Sequence, residues 1–343
     1  MSKTIKRVTR KDVAERANVS PTIVSYVINN NRYVDAEKKQ RVIDALKELS
    51  YKPNSMARAL KGKQSNQILF IVDDLQSEHF SKIMKQMDSW AYENSYFISL
   101  CESRNSDSFV HQIYQRYFDA IIIASGTFKQ KYIQELIDTN IPIVILEMRK
   151  YDKLSGNYGL IDTGLYDGSR KCCKTLIEQG RKRIIFVDSF ESLSFTKSPK
   201  DDFRYKGFID ELDSNNYIKD VNYKIINNCS CEKDLSHAID QILDSNFNID
   251  GIFGRTDSVA IHAMYKLIDR GFNIPKDCSI IGVNNARISR YTTPQLSSLD
   301  IDRESIGKAI IQLLEKMFNK ESNAPLTVSL YTNLIRRASL LLL

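Results

Sequence analysis

Val8-Thr9-Arg10-Lys11-Asp12-Val13-Ala14-Glu15-Arg16-Ala17-Asn18-Val19-Ser20-Pro21-Thr22-Ile23-Val24-Ser25-Tyr26-Val27-Ile28-Asn29 reads as a short amphipathic helix, a tight turn and a second capped helix without slack. Thr9 stands where an N-cap belongs for a helix over Arg10 to Ala17, with Val13, Ala14 and Ala17 on one apolar face. Asn18-Val19 is a turn. Ser20 caps the next helix, and Pro21 takes its first position, where a missing N–H costs nothing. Val24, Val27 and Ile28 form the buried stripe of this second helix, so Thr22, Ser25 and Tyr26 point outward from its early turns. This is the layout of a helix-turn-helix reader of the DNA major groove. The alternative reading is a small three-helix module that binds protein.

Charge favours the first reading. Residues 1–64 hold 15 Lys/Arg against 6 Asp/Glu, a net of +9, whereas the remaining 279 residues hold 34 against 36, a net of −2. A basic head on a nearly neutral body is the electrostatic footprint of phosphate contact. Asp35 then caps a third helix carrying Val42, Ala45, Leu46 and Leu49 at helical spacing. Beyond it runs Tyr51-Lys52-Pro53-Asn54-Ser55-Met56-Ala57-Arg58-Ala59-Leu60-Lys61-Gly62-Lys63. Pro53 ends one element, and Asn54 or Ser55 can cap a single helix too short to persist alone in water.

With these pieces in place the chain resembles the lactose-repressor/galactose-repressor (LacI/GalR) family of bacterial transcription regulators. The matching residues are Asp12-Val13-Ala14, Val19-Ser20, Val24-Ser25, Val27, Asn29 and Tyr51-x-Pro53-Asn54-x-x-Ala57-Arg58-x-Leu60, and the resemblance runs on to Arg336-Arg337-Ala338-Ser339. It implies that the short helix is a hinge folding in the minor groove, where Leu60 wedges a base step open with Ala57, Arg58 and Lys61 beside it. The other reading of Leu60 is an exposed apolar residue of a linker. In the head the expected DNA contacts are Thr9, Lys11, Ser20 and Pro21, then Thr22, Ser25, Tyr26, Asn29 and Arg32. Tyr26 departs from the arginine or histidine common in the family at that position.

Composition bounds the rest. At 343 residues with 42% hydrophobic and 27% charged, the chain is an ordinary globular protein of two or three domains. Its charged, polar N-terminus lacks a secretory signal pattern, and no apolar run approaches the ~20 residues a spanning helix needs. Cys101, Cys172, Cys173, Cys229, Cys231 and Cys278 include no C-x-x-C pair, which argues for free thiols in the cytoplasm rather than zinc or a disulfide framework.

The body alternates apolar runs with amphipathic stretches. Strands are expected over Ile68-Val72, Phe97-Leu100, Ala120-Ala124, Ile143-Leu146, Arg183-Val187, Gly251-Phe253 and Ser279-Val283, with helices between them. Alternation of this kind argues for parallel sheets covered on both faces, and the number of strands for two α/β subdomains. The expected fold is an all-α head plus a bilobal, periplasmic-binding-protein-like α/β body. The boundaries read as 1–52 for the head, 53–66 for hinge and linker, and 67–343 for an effector-binding and dimerisation domain. Its N-subdomain spans about 67–160 and 292–325, its C-subdomain about 161–291 and 326–343, with linkers near Arg149-Tyr158 and Asn284-Leu299.

Ligands of such sheets bind outside the carboxyl ends of the strands. By the resemblance, His79-Phe80 supplies an aromatic wall, Ser125 a polar contact, Asp162 an acidic position at the crossover, and Arg204 a planar fork for a carboxylate, phosphate or paired hydroxyls. Asp257 and Asn284 complete the expected effector set. Arg204 can instead pair with Asp201 or Asp202, and Asp257 can be a helix N-cap. Val283-Asn284 departs from the family's aromatic and aspartate, and Thr163 from its asparagine.

Enzyme signatures are missing: Gly62-Lys63-Gln64-Ser65 lacks the leading glycine of a phosphate loop, and His79, His111, His237 and His262 form no motif. No cofactor or metal is expected. The expected protein is a ligand-responsive repressor acting as a homodimer on a near-palindromic double-stranded operator, with a sugar or related metabolite as effector and no membrane partner. The rivals are a stand-alone bilobal binding protein and a regulator controlled by a protein partner without a small effector.

Overall fold

A computed structural model describes residues 8–52, 64–188, 190, 201–245, 247–321 and 325–341. The chain divides into two compact units, Met1–Ser65 and Asn66–Leu343.

The first unit is three helices, α1 (Arg10–Ala17), α2 (Pro21–Asn29) and α3 (Ala36–Glu48). Thr9 and Asp12 form a reciprocal capping box, with Thr9 N donating to Asp12 Oδ2 at 2.6 Å and Asp12 N to Thr9 Oγ1 at 3.4 Å. Asn18 then turns the chain at φ 50°, a left-handed conformation that asparagine tolerates. Ser20 Oγ accepts from Ile23 N, and Pro21 opens α2 as expected. Val13, Ala14, Ala17, Val24, Val42 and Ala45 are the buried core of the head. The expected hinge residues Ala57, Arg58, Leu60 and Lys61 lie outside the described residues.

The second unit carries two six-stranded sheets. The first orders β11 (Leu326–Ser329), β5 (Gly159–Asp162), β4 (Ile143–Glu147), β3 (Ala120–Ala124), β1 (Gln67–Val72) and β2 (Phe97–Glu102), all parallel. The second orders β12 (Thr332–Ile335), β10 (Ser297–Ile301), β9 (Ser279–Val283), β8 (Gly251–Gly254), β6 (Ile184–Val187) and β7 (Tyr223–Ile226). Only β12 runs antiparallel to its neighbour. Central strands such as Ala120–Ala124 are buried along their whole length, which is why they read as unbroken apolar runs.

Two lobe assignments read from sequence are overturned in part, for β10 and β11 only. β10 lies in the second sheet, paired with β9, although 292–325 was assigned to the N-subdomain. β11 lies in the first sheet, with Leu326 opposite Gly159, although 326–343 was assigned to the C-subdomain. The linkers are also elsewhere. Residues 149–158 are a loop inside the first lobe, tied to the helix Gln130–Ile137 by Gln134 Nε2 to Ser155 O at 3.0 Å. Residues 284–299 lie inside the second lobe, with a 3₁₀ turn at Arg287–Arg290. The chain crosses between lobes after Asp162, at Asp302 and after Ser329. Two crossings are stitched together by Leu330 N to Asp162 O at 2.8 Å and Thr332 Oγ1 to Gly164 O at 3.1 Å. Gly164, at φ 69°, is required here, because a Cβ would press into Leu330 O.

The second lobe hangs its helix Phe203–Ser214 on one ring. Phe208 is fully buried, with ring centroids 5.4 Å from Phe186, 5.9 Å from Phe253 and 6.1 Å from Tyr223. Phe208→Ala should cost about 3–5 kcal/mol of body stability, read as a lower urea midpoint at unchanged m. An unchanged midpoint would contradict this packing.

Candidate functional site

On the head, Lys11, Ser20, Pro21, Thr22 and Arg32 are exposed, and Ser25, Tyr26 and Asn29 half-buried. α2 therefore presents Thr22, Ser25 and Tyr26 from its early turns, with no acidic residue in its first turn. Asn29 Nδ2 donates to Ser25 O at 2.8 Å and to Ser25 Oγ at 3.2 Å, which orients both side chains. The Arg32 guanidinium lies 5.2 Å from the Tyr26 ring centroid, a cation–π contact that limits the ring's freedom. Thr9 is occupied by its cap: its Oγ1 donates to Asp12 Oδ2 at 2.8 Å.

The body encloses a cavity of about 610 Å³ between its lobes. Of the expected effector residues His79, Phe80, Arg204, Asp257 and Asn284 line it. Ser125 and Asp162 do not. Ser125 is fully buried, donates through Oγ to Asp73 and accepts from Phe128 N at 2.9 Å, so its hydroxyl shapes a loop. Asp162 accepts from Gly164 N at 2.9 Å and turns the chain at the lobe crossing. Both sit at strand ends, as the resemblance implies, but their side chains serve the backbone.

Among the charged lining residues outside the expected effector set are Asp73, Arg255 and Arg303. Asp73 follows β1 and accepts from Gly126 N at 2.8 Å and Thr127 Oγ1 at 2.6 Å as well as from Ser125. Arg255 follows β8, so the carboxyl-end rule applied to that strand points to it. Arg303 opens the helix Arg303–Phe318, and Asp302 caps that helix by accepting from Ser305 N at 3.0 Å.

The cavity's arginines are each committed to a carboxylate behind the lining. Arg204 donates through Nε and Nη2 to the two oxygens of Asp202 at 3.0 and 2.9 Å, so its fork forms the local ion pair. Arg255 Nη2 reaches the same carboxylate at 2.9 Å, and its Nη1 reaches Asp188 at 2.9 Å. Burial alone would raise the Asp202 pKa; the guanidiniums of Arg204 and Arg255 outweigh it and hold it at about 2. Arg303 bridges Asp300 Oδ1 at 2.9 Å and the Asn284 carbonyl at 2.6 Å. Asn284 itself sits at φ 99°, a strained conformation for a residue with a Cβ.

His79 is different. It is buried, packs edge-on against Phe80 at 5.1 Å, and its Nδ1 finds no hydrogen-bond partner among the described residues. Burial, with the charges of Arg303, Arg204 and Lys82 adding, pushes its pKa down to about 3, so it is neutral near pH 7. Asp257 is the first residue of its helix rather than the N-cap, which is Thr256. Its carboxylate accepts from Ala286 N and Ser298 Oγ, each at 2.5 Å.

A helix-turn-helix head in one chain with a two-lobed body closed around a cavity defines a DNA-binding transcription regulator. Residues 9–54 match the bacterial regulatory proteins of the lacI family, and residues 173–340 the periplasmic binding protein-like domain. The HTH-type transcriptional repressor PurR of Pasteurella multocida (strain Pm70) is 26% identical over 336 residues, covering 96% of this chain and 98% of that protein. Its counterpart in Actinobacillus pleuropneumoniae serotype 3 (strain JL03) is 28% identical over 338 residues, with the same coverage. In structure the chain is similar to the lac repressor dimer bound to operator and the anti-inducer ONPF, with TM-score 0.78, 23% identity and 98% and 100% of the two chains covered. It is also similar to the regulator CelR in complex with cellobiose, with TM-score 0.67, 21% identity and 97% and 100% covered. The head thus carries the regulatory domain of the lacI family, and along nearly its whole length the chain is similar to HTH-type repressors. No helix among the described residues is long and apolar enough to cross a membrane.

The Asp257 environment makes a pH prediction. Burial raises its pKa to about 6 against the opposing hydrogen bonds from Ser298 and Ala286 N. A carboxyl whose folded pKa is raised stabilises the fold through its protonated form. That contribution is complete below the unfolded value of 3.8 and is lost as pH rises through about 6. The thermal midpoint of the wild type relative to Asp257→Asn should therefore fall between pH 4.5 and 7. A difference that stays constant over that range would count against the buried, protonated carboxyl.

Proposed function

We propose that this protein is a repressor that grips a near-palindromic double-stranded operator as a homodimer and answers to a small effector, a sugar or related metabolite, in the cleft. The observation that carries this reading is the pairing of a basic helix-turn-helix head with a cavity of about 610 Å³ that holds a buried, unpartnered imidazole nitrogen. An unsatisfied buried polar atom costs free energy unless a ligand or water meets it. In this reading Thr22, Ser25 and Tyr26 read base edges, Asn29 steadies Ser25, and Lys11 and Arg32 hold phosphates, with Thr9, Ser20 and Pro21 setting the helix ends against the backbone. Ala57, Arg58, Leu60 and Lys61 act in the minor groove. One recognition helix covers only a few base pairs, so two half-sites are needed for useful specificity. His79 and Phe80 form the effector's aromatic wall, and Asp257, Asn284 and Arg204 its polar rim. Ser125 and Asp162 act by holding the loop and the crossing beneath that site. The site of action is the cytoplasm.

The test is a thermal-shift screen of sugars, nucleobases and sugar phosphates, followed by operator titration with any ligand found, since a ligand that binds only the folded state raises the midpoint. A ligand whose stabilisation survives His79→Ala together with Phe80→Ala places its site outside this cleft.

On the DNA side, Tyr26→Ala should alter half-site preference by about 1–3 kcal/mol at one position. Lys11→Gln should weaken all sequences alike and flatten the salt dependence by about one unit of slope. Uniform weakening by Tyr26→Ala, measured by competition among half-site variants, would show the recognition register to be misplaced.

A further inference from the structure

The two walls of the cleft are joined to each other by the chain's own groups on both rims. On one rim Arg149 follows β4 of the first lobe. It is anchored there by Nη2 to Phe128 O at 2.9 Å and by its guanidinium 5.2 Å from the Tyr151 ring centroid. Its Nη1 then reaches Asp201 Oδ2 of the second lobe at 3.1 Å. Beneath the ion pair the backbones also join. Phe203 N donates to Met148 O at 3.0 Å, and Arg149 and Asp202 pair as an isolated antiparallel bridge. A Cβ placed on Gly126 of the first lobe would lie 3.4 Å from Asp202 Oδ2, so the walls are within van der Waals reach. On the opposite rim Arg287 N of the second lobe donates to Glu78 Oε2 of the first at 2.9 Å. Arg303, on a helix packed against the first lobe, donates to the Asn284 carbonyl of the second at 2.6 Å.

We propose that Arg149 and Asp201 form a clasp that holds the two lobes closed in the absence of any ligand, with the segment Asp201–Phe203 as its strap. The chemistry fits a latch rather than a scaffold. An ion pair at the surface contributes little by itself. Here the arginine is only 14% exposed and is pre-oriented by two contacts inside its own lobe, so little side-chain freedom remains to be lost on closure. The strap runs straight into the helix Phe203–Ser214, whose Asp202 cap is held by Arg204 and Arg255. Pulling on Asp201 therefore pulls on the second lobe as a body. The consequence for DNA rests on the reading of this cleft as the effector site; the clasp itself does not.

Amide hydrogen exchange on the full-length, ligand-free protein tests it. The amides of Phe203 and Arg287 point across the cleft on opposite rims, so they report closure independently of the core. In the wild type both should be protected. Asp201→Asn leaves every first-lobe contact of Arg149 in place, and should speed exchange at both amides about tenfold or more while β3 and β8 stay protected. Arg149→Ala should do the same. Rapid exchange at both amides in the wild type would overturn the clasp. So would faster exchange in Arg149→Ala without any change in Asp201→Asn, which would make Arg149 a local support of the first lobe. Operator titration of Asp201→Asn separates the two claims. Faster exchange with an altered unliganded operator affinity supports both, whereas faster exchange with unaltered affinity keeps the clasp and removes its coupling to DNA.

Discussion

A single buried carboxylate organises the cleft. Asp202 is fully buried, and an isolated ion there would carry a desolvation cost of several kcal/mol. Two guanidiniums and a helix-capping hydrogen bond from Arg204 N offset that cost. The arrangement is asymmetric in its consequences. Each arginine is held in one orientation because Asp202 needs it, and removing either would leave charge stranded in the wall. Arg204 thus enters the cleft as half of an ion pair. A ligand that recruits its remaining donors must tolerate a neutral pair, not a free cation, beside it. A neutral, hydrogen-bonding molecule suits that surface better than a multiply charged anion.

The second constraint lies where the chain passes between lobes. Two of the three crossings are stitched together, and the fit depends on a glycine at positive φ and on the Asp162 carboxylate accepting from Gly164 N. Glu147 stands opposite Asp162 in the β4–β5 register. Burial first, and the Asp162 charge second, push its pKa up to about 7, with Lys150 opposing. Asp162 therefore serves the crossing itself, with Glu147 beside it on the neighbouring strand.

The head was legible because its information is local. A capping threonine, a left-handed asparagine, a capping serine and a proline at the first helical position each act within four residues. The apolar strands were legible for the same reason. What failed was long-range: β10 and β11 are short, and only their partners β9 and β5 show that they belong to lobes opposite to those assigned from chain order. β5, β7, β10, β11 and β12 were not among the expected strands because polar residues stand in each of them, whereas β6 and β8, no longer than these, carry no polar side chain. In the cleft, position at a strand end was readable and side-chain direction was not. Ser125 and Asp162 stand where expected yet point at Asp73 and Gly164. Arg255 was within reach of the same strand-end rule, whereas Arg303, at the start of a helix, is visible only once the folded lobes face each other.

A cleft that its own chain ties shut changes what an effector must accomplish. A ligand shifts a two-state equilibrium only by its differential affinity for the two states, however tightly it binds. If closure depended on the ligand, part of the binding free energy would be spent in bringing the walls together. With the clasp in place the closed form is populated beforehand. A molecule that fits inside it can then bind tightly and move the equilibrium little, whereas one too large for the closed cavity must break the contacts between Asp201–Phe203 and Met148–Arg149. The free energy of those contacts therefore sets a threshold that an opening ligand must exceed. Because they include an ion pair whose acidic end is 44% exposed, ionic strength lowers that threshold, and the conformational equilibrium of the body becomes salt-dependent independently of the phosphate contacts made by the head.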